Sequence, residues 1–155
     1  YGVVTFAGAK SMNEIDALLS AKAARKSTAT ASEIRGVFQR FVPNLLLWDG
    51  HKFDLRVYIT ICPQSGDHFI FKEAGVRAAP KEFRSSVLSK GVQMTHYSGM
   101  IPTSKWPLWP EVLPNLFRAV AAVFAVCLPY LRPCPGPWAL LWGLDVAIDA
   151  ELRPY

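Results

Sequence analysis

The chain has 155 residues, of which 51% are hydrophobic and 19% charged, with a net charge of +5 and a pI near 9.3. Aliphatic and aromatic residues run through its whole length, which excludes a disordered chain and supplies enough apolar surface for one real core. The basic balance suits an acidic partner (nucleic acid, phosphate groups or an acidic polypeptide tail) without choosing among them.

In chain order, residues 2–6 are short, β-branched and apolar, and predict a strand. Ser11 and Glu14 form a capping-box pair, and Ile15, Leu18 and Leu19 follow helical spacing, so a helix is expected over 13–24. Residues 25–32 are small and polar and read as a loop. Strands are expected over 37–42 and 45–48, and Asp49-Gly50 is a hairpin signal. The longest strand is expected over 52–61, followed by a turn at 63–67 and a returning strand at 68–72, which makes an antiparallel meander. Residues 79–89 read as helical or irregular, and 101–110, with its prolines and tryptophans, as a loop. A helix is expected over 111–128, with Pro114 tolerated in its first turn and Pro129 ending it. Its apolar run after Arg118 is about half of the ~20 residues a membrane span needs, so a buried core helix is the expectation. Residues 131–138 turn the chain, and 139–148 form an apolar strand interrupted by Asp145. Asp149-Ala150-Glu151 then turns into a further, incomplete strand. The sequence opens on a strand without a start methionine and stops as another begins, so a single partial domain over 1–155, cut at both ends, is the expectation. The fold class is α+β, an antiparallel sheet with flanking helices.

Cys62, Cys127 and Cys134 have no paired spacing, which argues against a disulfide framework and fits a reducing compartment. His51, His68 and His96 are too scattered for a zinc site. The chemistry concentrates in Lys52-Phe53-Asp54-Leu55-Arg56. Side chains alternate along a strand, so Lys52, Asp54 and Arg56 share one face and Phe53, Leu55 and Val57 the other. A cation, an anion and a cation in a row suit a triphosphate with its metal. They equally suit a solvent-facing strand whose charges pair across the sheet. Asp145 is costly to bury unpaired within its apolar run. It binds a metal, pairs with a base or lies at a sheet edge, and Gly143 beside it permits close approach of backbone or ligand.

These residues resemble the tubulin–tyrosine ligase-like family. Gln39-Arg40-Phe41-Val42, Asn44-Leu45-Leu46-Leu47 and Lys52-Phe53-Asp54-Leu55-Arg56 are similar to its Gln-Lys-Tyr-Ile hinge, its Pro-Leu-Leu-Ile stretch and its Lys-Phe-Asp-(Ile/Leu)-Arg strand. Phe71-Lys72-Glu73-Ala74-Gly75-Val76-Arg77 resembles the family's Tyr-Lys-Glu-Gly-x-x-Arg, and Gln93-Met94-Thr95-His96 its His-Leu-Thr-Asn. Gly143-Leu144-Asp145-Val146 with Leu152-Arg153-Pro154-Tyr155 resembles its Phe-Gly-x-Asp…Leu-(Lys/Arg)-x-Trp. Single blocks are weak; the ordered set is specific.

The resemblance implies part of an ATP-grasp fold and an ATP- and Mg2+-dependent ligase that activates a carboxylate as an acyl-phosphate for attack by an amine. It implies that Gln39, Arg40, Phe41 and Val42 hold the adenine, and that Lys52, Asp54, Arg56 and Arg77 face the nucleotide phosphates. Thr95 and His96 would lie near the γ-phosphate and the amino-acid substrate, Arg56, Arg77, Thr95 and His96 making up the catalytic set, and Asp145 would be a magnesium ligand. The implied partners are acidic tubulin tails and a free amino acid (tyrosine, glutamate or glycine), with no nucleic acid and no membrane. The implied location is the cytoplasm, at microtubules or in cilia and basal bodies. Positioning and charge neutralisation suffice for such chemistry, with no side-chain nucleophile. His96 replaces the family's asparagine, exchanging an amide for a ring of variable charge. A catalytically inactive pseudoenzyme that binds tubulin or chromatin, and an ATP-grasp ligase with a non-tubulin acceptor, are the alternatives. A Glu-x-Asn metal motif is expected soon after Tyr155, and a lysine-bearing strand and glycine-rich loop before Tyr1. These 155 residues alone are accordingly expected not to catalyse ligation.

Overall fold

The computed structural model describes residues 41–62, 65–96, 99–131 and 139–155. The elements expected over 2–6, 13–24, 25–32 and 132–138, and most of that over 37–42, lie outside the described residues. By its internal contacts the chain divides into Tyr1–Phe41 and Val42–Tyr155, and all the elements below belong to the second unit.

The central strand forms where apolar and polar residues alternate. Strand β1 (Leu47–Trp48) turns through Asp49 and Gly50 into β2 (His51–Cys62). Both turn residues have positive φ, 48° and 75°, the geometry of a two-residue hairpin whose twist matches its strands. Trp48 pairs with His51 and Leu47 with Lys52. Along β2, Phe53, Leu55, Val57, Ile59 and Ile61 are buried, and the residues between them are only partly covered. Each of these side chains, in leaving water, stabilises the fold by roughly 1.5–3 kcal/mol.

Strand β3 (Asp67–Ile70) returns along the distal half of β2, and β4 (Gly75–Glu82) pairs with its proximal half on the same edge. The tail of β4 overturns the helical-or-irregular reading of residues 79–82. Pro80 cannot donate to the ladder, but the register shifts between His51 and Phe53, and that irregularity accommodates it. His51 Nδ1 lies 2.8 Å from the Ala79 carbonyl there. A short helix, α1 (Lys90–Gln93), packs on β4 and the start of β2. Strand β5 (Ile101–Pro102) borders β4 and runs into a 3-10 turn, Thr103–Lys105, within the stretch expected to be loop.

Helix α2 (Trp109–Leu131) passes Pro129 instead of stopping at it and ends two residues later. Strand β6 (Leu140–Val146) closes on the edge of β2 opposite β3, all pairings being antiparallel. The described part is thus α+β on an antiparallel sheet. Val112, Leu116, Val120 and Phe124, four residues apart, join the inner face of the sheet in one buried cluster with Trp106 and Trp109. Val123, Val126 and Tyr130 stay exposed, so the helix buries a stripe rather than its whole circumference. Its 19-residue span Trp109–Cys127 is long and apolar enough to cross a membrane, and 22% of it is buried.

Leu45 bridges Asp149 instead of extending β1, and the chain end folds back so that Tyr155 and Ala147 exchange backbone hydrogen bonds. Asp149 organises this corner. Its buried carboxylate accepts from the backbone N–H groups of Glu151 (3.0 Å) and Arg153 (2.9 Å), from Arg153 Nε (2.7 Å) and from the Tyr155 hydroxyl (3.1 Å). Burial by itself pushes the carboxyl up, but these donors and the Arg153 charge outweigh it and hold it below its ordinary value. A carboxyl depressed in the folded state stabilises above its unfolded pKa, and that contribution is lost as pH falls through the folded value. Asp149→Asn is expected to lower the urea midpoint at neutral pH. The gap to the unmodified protein is expected to close as pH falls below the ordinary aspartate range and the native carboxyl protonates. A gap that stays constant with pH would assign Asp149 no charge-dependent role.

Candidate active site

The polar face of β2 is where the sequence-predicted residues converge. Cross-strand pairing sets Asp54 opposite Arg77 of β4, and Arg56 opposite Asp145 of β6. Arg77 Nε donates to Asp54 Oδ1 at 2.7 Å, and its Nη2 reaches Asp145 Oδ1 at 2.8 Å. Arg56 Nε meets the same Asp145 oxygen at 3.1 Å. The Thr95 hydroxyl donates to the other oxygen of Asp54. Lys52 Nζ lies 3.5 Å from Gln93 Oε1, and Gln93 donates at 2.8 Å to the Val87 carbonyl, which fixes its amide. Lys52, Asp54, Arg56, Arg77, Thr95 and Asp145 therefore form one constellation drawn from three strands and the loop after α1.

Burial grades across it. The Arg77 side chain is 9% exposed and that of Asp54 18%, whereas Asp145 is 53% exposed. Burial works against the charge of Arg77, but its bonds to Asp54 and Asp145 prevail and raise its pKa above the ordinary value. Lys52 is pushed below the ordinary lysine range by burial, and the nearby Asp54 charge only partly restores it. Three cations face two carboxylates, so the face keeps a net positive charge for an anion.

Of the remaining predicted residues, His96 follows Thr95 at the surface. Gln39 and Arg40 lie outside the described residues; Phe41 is exposed, and Val42, the first residue of the second unit, is partly covered. Two residues without an assigned role enter the site. Gln93 anchors Lys52, and its place two residues before Thr95 is the signal that could have found it. Gly143 lies beneath the Arg56 side chain. Beyond the charges, the same face turns apolar. Tyr58 meets Phe71 edge to face at 6.4 Å, and Phe69, Met100 and Leu141 stand exposed around them.

The family model described as the tubulin-tyrosine ligase family matches residues 5–104. The chain belongs to the tubulin-tyrosine ligase family. No curated protein matches the chain closely enough to add a named relative. The matched region holds Lys52, Asp54, Arg56, Arg77, Thr95 and His96, and β6 brings Asp145 to them from beyond it. The α+β sheet is accordingly part of an ATP-grasp fold. The tubulin-tyrosine ligase family is, as a family, one of ATP-grasp-type carboxylate–amine ligases that use ATP and Mg2+ and act on tubulin in general.

Among the described residues no three His, Cys, Asp or Glu side chains gather as a metal cage. Mg2+ commonly takes only one or two protein carboxylates, completing its shell with phosphate oxygens and water. The exposed carboxylate of Asp145, on the rim of a cationic face, fits that requirement.

Proposed function

We propose that this chain carries the phosphate-binding face of a ligase that adds tyrosine, glutamate or glycine to the acidic tails of tubulin. The observation that carries the reading is the convergence of Lys52, Arg56 and Arg77 with Asp54 and Asp145 on one face of β2. In this reading Lys52, Arg56 and Arg77 neutralise phosphate oxygens, and Asp54 with Thr95 holds Arg77 in place. Asp145 would hold Mg2+, which supplies charge neutralisation at the phosphates when bound. A substrate carboxylate attacks the γ-phosphorus and ADP leaves; an amine then attacks the acyl carbon and phosphate leaves. The protein positions and neutralises, and no side chain becomes covalently attached. The tails of tubulin are acidic, and the net charge of +5 supports their approach. The place of action in this reading is the cytoplasm, at microtubules and those of cilia and basal bodies.

The test is mass spectrometry of tubulin tails after incubation with the full-length protein, Mg-ATP and mixed amino acids, beside Asp145→Ala. A mass gain that disappears in the variant is expected, and its size names the amino acid. Mg-ATP binding without any gain on tubulin would overturn the acceptor and favour a binding role or a ligase with another acceptor. The exchange of asparagine for His96 would then gain weight.

A further inference from the structure

Gly143 stands on β6 opposite Tyr58, one row along from the Arg56–Asp145 pair. Its backbone lies outside the left-handed region, so conformation does not call for glycine. Space does. A Cβ there would fall 2.6 Å from Arg56 Nη1 and 3.0 Å from Arg56 Cδ, closer than side chains tolerate. Arg56 therefore lies across β6 through the gap that Gly143 leaves, with Nη1 3.5 Å from the Gly143 carbonyl and Nε on Asp145.

We propose that Gly143 is a positioning residue for Arg56. Its missing side chain lets the guanidinium recline across β6 and meet Asp145 beside Arg77, which fixes where Arg56 can meet an anionic oxygen. The inference rests on the nucleotide reading for its consequence and on the geometry alone for its cause. Alanine at this position can be accommodated only by displacing Arg56, a flexible side chain at the rim. The cost is thus expected in the position of Arg56 and not in the fold, since alanine suits a strand no worse than glycine.

Two measurements test this. In Mg-ATP titration calorimetry, Gly143→Ala is expected to weaken binding roughly tenfold, as Arg56→Ala does, with no further loss in the double variant. The melting temperature of Gly143→Ala should stay near that of the unmodified protein. In NMR, the Arg56 Nε–H resonance should shift in Gly143→Ala towards its position in Asp145→Asn. Unchanged affinity in Gly143→Ala beside weakened binding in Arg56→Ala would overturn the proposal, as would full additivity. If Arg56→Ala leaves affinity unchanged, the nucleotide reading fails instead. The Arg56 resonance then decides the positioning claim, and an unshifted signal in Gly143→Ala refutes it.

Discussion

Arg77→Ala is expected to reduce Mg-ATP affinity by roughly 100-fold and to cost about 2–4 kcal/mol of stability. Arg77 reaches both carboxylates of the site, Asp54 at 2.7 Å and Asp145 at 2.8 Å. Without it, Asp54 keeps the Thr95 hydroxyl but loses its bonded guanidinium, in a place where only 18% of its side chain reaches solvent. A buried charge that loses its partner costs far more than the pair itself contributes. Arg77→Lys separates the two effects. It keeps the charge but lacks the planar fork that serves two carboxylates, so most of the stability should return while affinity stays low. Calorimetric titration with Mg-ATP and urea unfolding measure both quantities. An Arg77→Lys protein that binds like the unmodified one would remove Arg77 from the phosphate site.

Phe53→Ala is expected to cost about 3–5 kcal/mol, a large share of the roughly 5–15 kcal/mol that keeps a domain folded. Phe53 is 1% exposed and lies between Lys52 and Asp54 on the opposite face of β2. Its ring meets Trp106 at 5.5 Å and Trp48 at 6.1 Å, both edge to face. Removing it opens a cavity directly beneath the charged row, so nucleotide affinity should fall with stability. Phe53→Leu, which keeps most of the volume, should cost less than about 1.5 kcal/mol. Urea midpoints decide the matter, and a loss below about 1 kcal/mol in Phe53→Ala would mean that the aromatic cluster contributes little to the core.

What could be read in the sequence was what local periodicity encodes. The alternation from Lys52 to Ile61 gave the central strand, and Asp49-Gly50 gave its turn. The lone acid at Asp145 drew notice because an unpaired charge is costly in an apolar strand, and its partners turned out to be two arginines. Those partners lay beyond periodicity. Arg56 and Gly143 are 87 positions apart, and only the pairing of β2 with β6 brings them together. Residues 79–82 were misread for a related reason. Pro80 and its neighbours have no strand propensity of their own, and the ladder with β2 imposes the extended form. The helix was legible in type but not in extent, since Pro129 in the last turn forfeits one bond without ending it.

The Asp49-Gly50 turn has a consequence for how this protein can be altered. Because Trp48 pairs directly with His51, adding or deleting one residue there would push β2 by one position against β1. A slip carried along the strand would turn Lys52, Asp54 and Arg56 towards the core and expose Phe53 and Leu55. The length of that turn is therefore as constrained as the identity of the residues it positions. The turn at the other end of β2, near Ser65 and Gly66, bears no such burden. It lies about 20 Å along the strand from Arg56, with Ser65 and Gly66 outside the buried core. Of the two ends of β2, it is the one at which an epitope or a fluorescent label can be spliced in while the charged row keeps its facing.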